Sequence, residues 1–264
     1  MNGFDGLFFV FDTETTGVDP LEARVVELGA AYFEGRKFAE ARRMLVNPGV
    51  PIPEEASRVH GITDEVVRDK PSFAEVGRRF VSHLDGSAKA GSPPLLAGYN
   101  AVSYDVPVLN NELARHGVGH RIDAARVHDP IVFVRYHMRH LRKRDLGSAC
   151  VELGVTLERA HSAAADAKAT GEVFFRLLER GIIPDDVEAA LAEQERLRLA
   201  LEAEWNEFGY WLYRDRAEGF LRMGAGKHCG LPLEMIEPSY LDFILEKSED
   251  LTEATRAAFE AHVR

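Results

Sequence analysis

Cysteine is nearly absent: Cys150 and Cys229 are the only two in 264 residues. Two thiols are too few for a disulfide framework or a four-ligand zinc site, and they suit a reducing compartment. Long apolar runs are missing too. The longest early one, Leu7 to Phe11, stops at Asp12 and follows no basic segment. It therefore reads as a buried strand, neither a signal peptide nor a membrane span. Nor is there an excess of positive charge, because 32 lysines and arginines face 43 acids, a formal net charge of −11. A chain so acidic is a poor coat for nucleic acid, although a local basic patch can still hold one. These absences predict a soluble, cytoplasmic protein. What is present is ordinary for such a protein, with 45% hydrophobic and 28% charged residues. At this length a folded chain removes about three quarters of its unfolded surface from water, so the core needs no covalent or metal staple.

The first two thirds of the chain alternate strand-like and helix-like segments. Leu7–Phe11 and Arg24–Phe33 read as strands, and Gly35-Arg36-Lys37 is a hairpin turn into a third, Phe38–Val46. A stretch with Pro48, Pro51 and Pro53 leads into short helical pieces, and Leu95–Gly98 makes a further short strand. Ser103–His116 and Ala163–Gly181 read as helices, the second with Phe174, Leu177 and Leu178 on one side. Hairpins first and helix-separated strands later predict an α/β domain over residues 1–181, with a mixed β-sheet flanked by helices. Composition then changes. Between Asp185 and Glu207 eight acids accompany two arginines, while Leu197, Leu201, Trp205, Phe208 and Leu212 recur at helical spacing. That predicts an amphipathic linker helix at 184–214, about thirty residues long and with too few heptads for a dimerising coil. Residues 215–264 form a small C-terminal module, punctuated by Gly224, Gly226 and Gly230 and ending in a helix around Leu241–Leu245.

Three strings carry candidate chemistry. In FVFDTETTG, Phe9 to Gly17, Asp12 and Glu14 stand two apart on a strand and so project to one face. Side-by-side carboxylates repel and do not both ionise without a counter-charge. A hard divalent cation supplies it, and oxygen-only ligands favour Mg²⁺ or Mn²⁺ over zinc. The Thr15-Thr16-Gly17 turn leaves backbone N–H groups open nearby. In GYNAVSYDVPVL, Gly98 to Leu109, a short strand ends, Asn100 and Ser103 are natural caps, and Asp105 sits in the first helical turn. In HSAAADAKAT, Ser162 caps a helix that contains Asp166. His161 and Asp166 would point about 140° apart on one helix, so they converge only if His161 lies in the loop before it. Each string alone has a structural alternative: exposed strand-end acids, an acid favoured by the helix dipole, a solvated loop histidine.

Together the strings resemble the DEDD exonucleases of the DnaQ-like group, h subclass. DTETTG matches the first motif through Asp12 and Glu14, YNAVSYD the second through Asn100 and Asp105, and HSAAADA the third through His161 and Asp166. VNPGVPIPEEASRVHGIT and ACVELGV also match, so the resemblance covers about residues 5–180. It implies a ribonuclease H-like fold and a 3′→5′ exonuclease releasing nucleoside monophosphates by a two-metal mechanism. In that mechanism Asp12 bridges two Mg²⁺ or Mn²⁺ ions, Glu14 and Asp166 complete the site of one, and Asp105 holds the other. His161 takes the proton of the attacking water, work that suits an imidazole titrating near about 6.5. Thr15, Thr16, Gly17 and Asn100 are the implied substrate contacts. The second motif departs from the family by carrying Tyr99 where a histidine is frequent, which bears on packing more than on metal binding. His60, in a family-typical segment, reads as packing.

Between Arg135 and Arg144 stand Arg139, Arg142 and Lys143, with His137 and His140 and no acid. Arg139, Arg142 and Arg144 read as phosphate contacts, which give affinity without sequence selectivity, or else as a solvated helix face. The tail GAGKHCGLPLEMIEPSYLDFIL resembles a small GKHxGxPL module found at the carboxyl end of some exonucleases of this group; a phosphate-binding turn and a folding appendage are both open. The expected partner is a nucleic acid 3′ end. DNA is favoured, with RNA the near rival, because no string reports on the 2′-hydroxyl. A polymerase partner and a silent nucleic-acid-binding module are the other readings. An aspartyl phosphatase fits poorly, since Glu14 stands where it needs aspartate.

Overall fold

The computed structural model describes residues 3–88, 94–158 and 162–263. The chain opens with β1 (Leu7–Thr15), β2 (Val25–Glu34) and β3 (Lys37–Leu45), followed by α1 (Glu54–His60), α2 (Asp64–Val67) and α3 (Phe73–Ala88). Next come β4 (Leu95–Ala97), α4 (Asp105–Arg115), β5 (Val127–His128), α5 (Pro130–His137), α6 (Leu146–Leu153) and α7 (Ala163–Glu179). The remainder holds α8 (Val187–Phe208), β6 (Leu212–Arg214), β7 (Leu221–Met223), α9 (Pro238–Lys247) and α10 (Glu253–Val263). Among the described residues no helix is long and apolar enough to cross a membrane.

The five-stranded sheet has the order β3-β2-β1-β4-β5. β1, β2 and β3 are antiparallel, whereas β4 and β5 run parallel to β1. This is the mixed α/β sheet of a ribonuclease H-like fold, as the patterning and the resemblance predict. The β2–β3 hairpin turns through Gly35 and Arg36, both left-handed with φ of 52° and 68°, as a two-residue turn matching strand twist demands. β3 is the exposed edge, and its Lys37, Glu40, Arg42 and Arg43 discourage pairing with another chain.

β1 is covered on both faces, and its parity decides where the site forms. Phe9 and Phe11 point towards Phe80 of α3, at ring centroid distances of 5.8 and 6.3 Å, in a core that also takes Val106, Leu109 and Leu113 of α4. Phe8 points the other way, to Phe174 of α7 at 4.7 Å. Alternation then puts Asp12 and Glu14 in the α7-facing row and Thr13 in the α4-facing one. Opposite Asp12 and Glu14, β2 presents Gly29 and Glu27.

His128 in β5 sits in an aromatic cage of Phe4, Phe8 and Phe174, with ring centroids 5.1 to 6.1 Å away, and its Nε2 has no hydrogen-bond partner among the described residues. Burial, helped by Arg126, lowers its pKa from 6.5 to about 4. The fold therefore holds it neutral, while the unfolded chain takes up a proton. Its contribution is present above about pH 6.5 and is lost as pH falls towards 4, reaching about 3 kcal/mol. His128→Phe should flatten this acid limb in urea melts between pH 6.5 and 4; an unchanged limb would place the acid sensitivity elsewhere.

The chain divides into two units, 1–133 with 145–194, and 134–144 with 195–264. The division passes through α5 and α8 and not through the 181–184 and 214–215 boundaries read from sequence. The helix read as about thirty residues is the 22-residue α8, stopped by Gly209 at φ 62°. Leu212 therefore belongs to β6, and Trp205, read as part of the buried stripe, is 60% exposed.

The second unit has its own core of Phe208, Leu212, Met223, Leu233, Ile236, Leu241, Ile244 and Phe259. Its GKHCG turn wraps Tyr240. Gly226 is left-handed at φ 74°, and a Cβ there would lie 2.4 Å from the Tyr240 hydroxyl. Lys227 stands over the Tyr240 ring and His228 packs against its edge, each at 4.7 Å. Both cysteines are free thiols; burial pushes that of Cys150 up to about 11.

Candidate metal centre

Asp12, Glu14 and Asp166 each offer a carboxylate oxygen, and these atoms lie within 4.8 Å of one another. The first two leave β1 side by side, and the third comes from the first turn of α7, which crosses the same face. Asp105 comes from the opposite layer. It opens α4, is 4% exposed, and accepts a 2.6 Å hydrogen bond from the Thr13 hydroxyl. Sequence neighbours on opposite faces of β1 thus reach acids from two helical layers.

The charges are strained against one another. Burial first, then the charges of Asp105, Asp166, Glu14 and Glu27, hold the Asp12 carboxyl well above its usual range. Burial and then Asp166, Glu27 and Asp105 raise Glu14 to about 8, opposed by Arg43. Burial raises Asp105 to about 6, with the Thr13 hydrogen bonds pulling the other way. Three converging carboxylates, two of them reluctant to ionise, are the donor set that a hard divalent cation fits.

The turn after Glu14 is closed by side chains. Tyr104 of the second motif shares a 2.5 Å hydrogen bond with the Thr15 hydroxyl and donates to the Gly17 carbonyl. Thr16 differs from the open donor expected from sequence: its N–H bonds the Arg24 carbonyl at 2.9 Å, and its hydroxyl accepts from the Arg24 N–H at 3.0 Å. His60 does pack, and in a useful place. Its Nδ1 accepts from the Ile62 N–H at 3.0 Å, so Nε2 carries the proton and donates to the Thr15 carbonyl at 3.3 Å.

Asn100 is left-handed, with φ 63°. Neither it nor Ser103 caps α4; Tyr104 occupies that position without a side-chain cap. The loop is instead pinned by Asp129, which accepts from the N–H groups of Asn100 at 2.8 Å and Val102 at 3.1 Å. The Asp129 N–H in turn bonds the buried Gln194 at 2.6 Å. His161 lies outside the described residues. Arg139 is engaged within the C-terminal unit, paired with Glu204 and stacked 5.1 Å over Tyr213. Arg144 is half-buried and donates to the Arg139 carbonyl at 3.0 Å, while Arg142 is exposed.

Sequence reasoning passed over Glu27. It is an acid inside the apolar run VVELGAA, fully buried, and cross-strand from Glu14. Its Oε1 accepts from the Ala163 N–H at 2.9 Å and from the Ser162 hydroxyl at 3.5 Å, and its Oε2 meets Arg43 at 2.6 Å. Ser162 holds the N-cap position of α7 but makes no capping bond of its own. A charged residue amid consecutive apolar ones was the available signal.

Residues 9–174 match the family model described as Exonuclease (RNase_T). The DNA polymerase III subunit epsilon of Treponema pallidum is 29% identical over 174 residues, 65% of this chain and 76% of that protein. The PolC-type DNA polymerase III of Caldanaerobacter subterraneus is 29% identical over 176 residues, 67% of this chain, but the chain spans only 12% of its length. Among solved structures, a zinc-bound E. coli ExoI–ssDNA complex superposes with a TM-score of 0.55 at 20% identity, covering 76% of this chain and 44% of the other. The nuclease domain of 3′hExo, a DEDDh family member bound to rAMP, gives 0.58 at 15% identity, covering 69% and 96%. With the family model spanning more than half of its length, the acids of the first and third motifs meeting within 4.8 Å, and Asp105 of the second near enough to raise Asp12, the chain belongs to the Exonuclease family.

Proposed function

We propose that this chain is a divalent-metal-dependent 3′→5′ exonuclease that releases nucleoside monophosphates from DNA ends. The observation that carries the reading is the meeting of Asp12, Glu14 and Asp166 within 4.8 Å, beside a buried Asp105. Two Mg²⁺ or Mn²⁺ ions bound there supply Lewis-acid charge to the scissile phosphate and acidify the attacking water. On this reading Asp12, Glu14 and Asp166 would hold one ion, and Asp12 with Asp105 would serve the other. His161 takes the proton from the water. Gly17 and Asn100 would contact the terminal nucleotide, while Thr15 and Thr16, whose hydroxyls are bonded to Tyr104 and to the Arg24 N–H, would shape the turn that presents Gly17, with Tyr104 and His60 fixing it.

DNA is favoured because the chain aligns with a polymerase III epsilon subunit and superposes on an exonuclease bound to single-stranded DNA. The same likeness makes a polymerase a reasonable partner. RNA is the second reading, favoured by the likeness to a nuclease domain bound to rAMP. End-labelled DNA and RNA oligonucleotides, blocked at either terminus and incubated with Mg²⁺, Mn²⁺ or a chelator, test both readings. Metal-dependent release of mononucleotides from unblocked DNA 3′ ends is expected. Faster release from RNA would select the second reading, and no release from either would overturn both.

Arg139, Arg142 and Arg144 remain proposed phosphate contacts, with Arg142 the exposed member. Arg142→Ala should reduce the slope of log affinity against log salt by about 1. Arg139→Ala should instead destabilise the C-terminal unit, because Glu204 loses its closest cation. An unchanged slope in both variants would remove this stretch from the substrate path.

A further inference from the structure

Glu27 is buried within the field of the acidic cluster, yet both of its oxygens are taken up by other groups of the chain. One faces the start of α7, through the Ala163 N–H at 2.9 Å and the Ser162 hydroxyl at 3.5 Å; the other faces Arg43 at 2.6 Å. The N-terminus of α7 is thus capped by a carboxylate supplied from β2, and the residue at its own N-cap position makes no cap bond. A second contact fixes the same spot. Gly29, directly opposite Asp12, lies so close beneath α7 that a Cβ there would be 2.0 Å from the Ala163 carbonyl carbon and 2.3 Å from the Ala164 nitrogen. Asp166 leaves α7 less than one turn later, with its N–H bonded to the Ser162 carbonyl at 2.9 Å. The position of the Asp166 carboxylate over Asp12 and Glu14 therefore depends on a cap and a close approach that both arise from β2.

Resting on the nuclease reading, we infer that Glu27 is a positioning residue. It sets the first turn of α7, and with it Asp166, at the distance from Asp12 and Glu14 at which one cation can be held by all three. Arg43 balances the charge that this buried carboxylate would otherwise add to the cluster. Residues that orient metal ligands in this indirect way typically change metal affinity or activity by about 10- to 100-fold when removed.

Two variants separate positioning from charge. Glu27→Gln and Glu27→Ala remove the same negative charge, but only the glutamine keeps a carbonyl oxygen for the Ala163 N–H. Mn²⁺ affinity, read from its paramagnetic signal without substrate, should weaken about tenfold more in Glu27→Ala than in Glu27→Gln. Amide exchange at Ala163 should quicken in the alanine variant and stay near wild type in the glutamine one. In the cleavage assay the difference between the two should fall on kcat with little change in KM. Equal Mn²⁺ affinities, or equal exchange at Ala163, would overturn the proposal, since charge alone would then suffice. Thermal melts with chelator report folding separately; an alanine variant that unfolds leaves the glutamine variant against wild type, where an accelerated Ala163 amide would overturn the proposal. Absence of cleavage by wild-type protein that binds Mn²⁺ normally would overturn the nuclease reading while leaving the Mn²⁺ and exchange comparison intact.

Discussion

Asp12→Asn is expected to remove nuclease activity by about 1,000-fold or more while making the metal-free protein more stable. The loss follows from the place of Asp12 in the cluster, where it lies with Glu14 and Asp166 within 4.8 Å and also feels the charge of Asp105, so that on the proposed reading it would serve both metal sites; removing a single preformed electrostatic contact to a transition state already costs about 100- to 1,000-fold. The gain follows from the same crowding. Asp12 is buried, and the charges of Asp105, Asp166, Glu14 and Glu27 all oppose its ionisation, so near neutral pH the folded metal-free protein must hold a proton there or bear the repulsion. Asparagine has nearly the same shape and requires neither. The melting temperature in chelator should therefore rise by a few degrees, and the rise produced by Mg²⁺ should shrink. End-release assays and thermal scans with chelator or Mg²⁺ measure both halves. A variant less stable than wild type in chelator would show that Asp12 is a structural hydrogen-bond partner, and retained activity would displace it from the centre of the site.

The sequence made this cluster legible because its members follow local rules. Asp12 and Glu14 share a strand face by parity, and Asp166 stands in the first turn of a helix whose start is marked by Ser162. What stayed hidden depends on register and layering. Glu27 comes to lie beside Glu14 only through the β1–β2 pairing, and that pairing is set by a turn whose side chains contact α4, as in the Arg24–Glu112 bond of 2.7 Å. Asp129 shows the same limit. Its carboxylate organises the loop before Asp105 from 29 residues away, and a capping rule applied along the chain gave that task to Asn100 and Ser103. The linker helix was overextended for a simpler reason. Apolar spacing continues past Phe208 into Leu212, but Gly209 in the left-handed region ends the helix, and the periodicity of the residues beyond it is coincidental. Arg139 is likewise bound by a partner, Glu204, that lies 65 residues away.

Metal should also invert the way stability responds to pH. Without it, Glu14 is raised from 4.5 to about 8 and Asp105 from 3.8 to about 6, and Asp12 is raised as well. The folded state then binds more protons than the unfolded chain through this window. Stability is therefore fully present below about pH 4, where both states are protonated, and is lost as pH rises towards 8. Glu14 alone sets a ceiling of about 4–5 kcal/mol on that loss; its partial exposure and its neighbour Arg43 keep the realised value lower. A bound cation reverses the preference, because it interacts with the ionised acids and expels their protons. Stabilisation by millimolar Mg²⁺ or Mn²⁺ should thus be small at pH 5 and grow steadily to pH 8, reaching about 2.7 kcal/mol where the ion stands at 100 times its dissociation constant. His128 complicates either curve alone, since its contribution is lost in the opposite direction, between 6.5 and about 4. It lies in the Phe4–Phe8–Phe174 cage, so it titrates alike with metal and with chelator, and the difference between the two curves at each pH cancels it. A metal-induced shift that is equal at pH 5 and pH 8 would mean that cations bind these acids without displacing protons, and the clustered, mutually repelled carboxylates would then not be the site of binding.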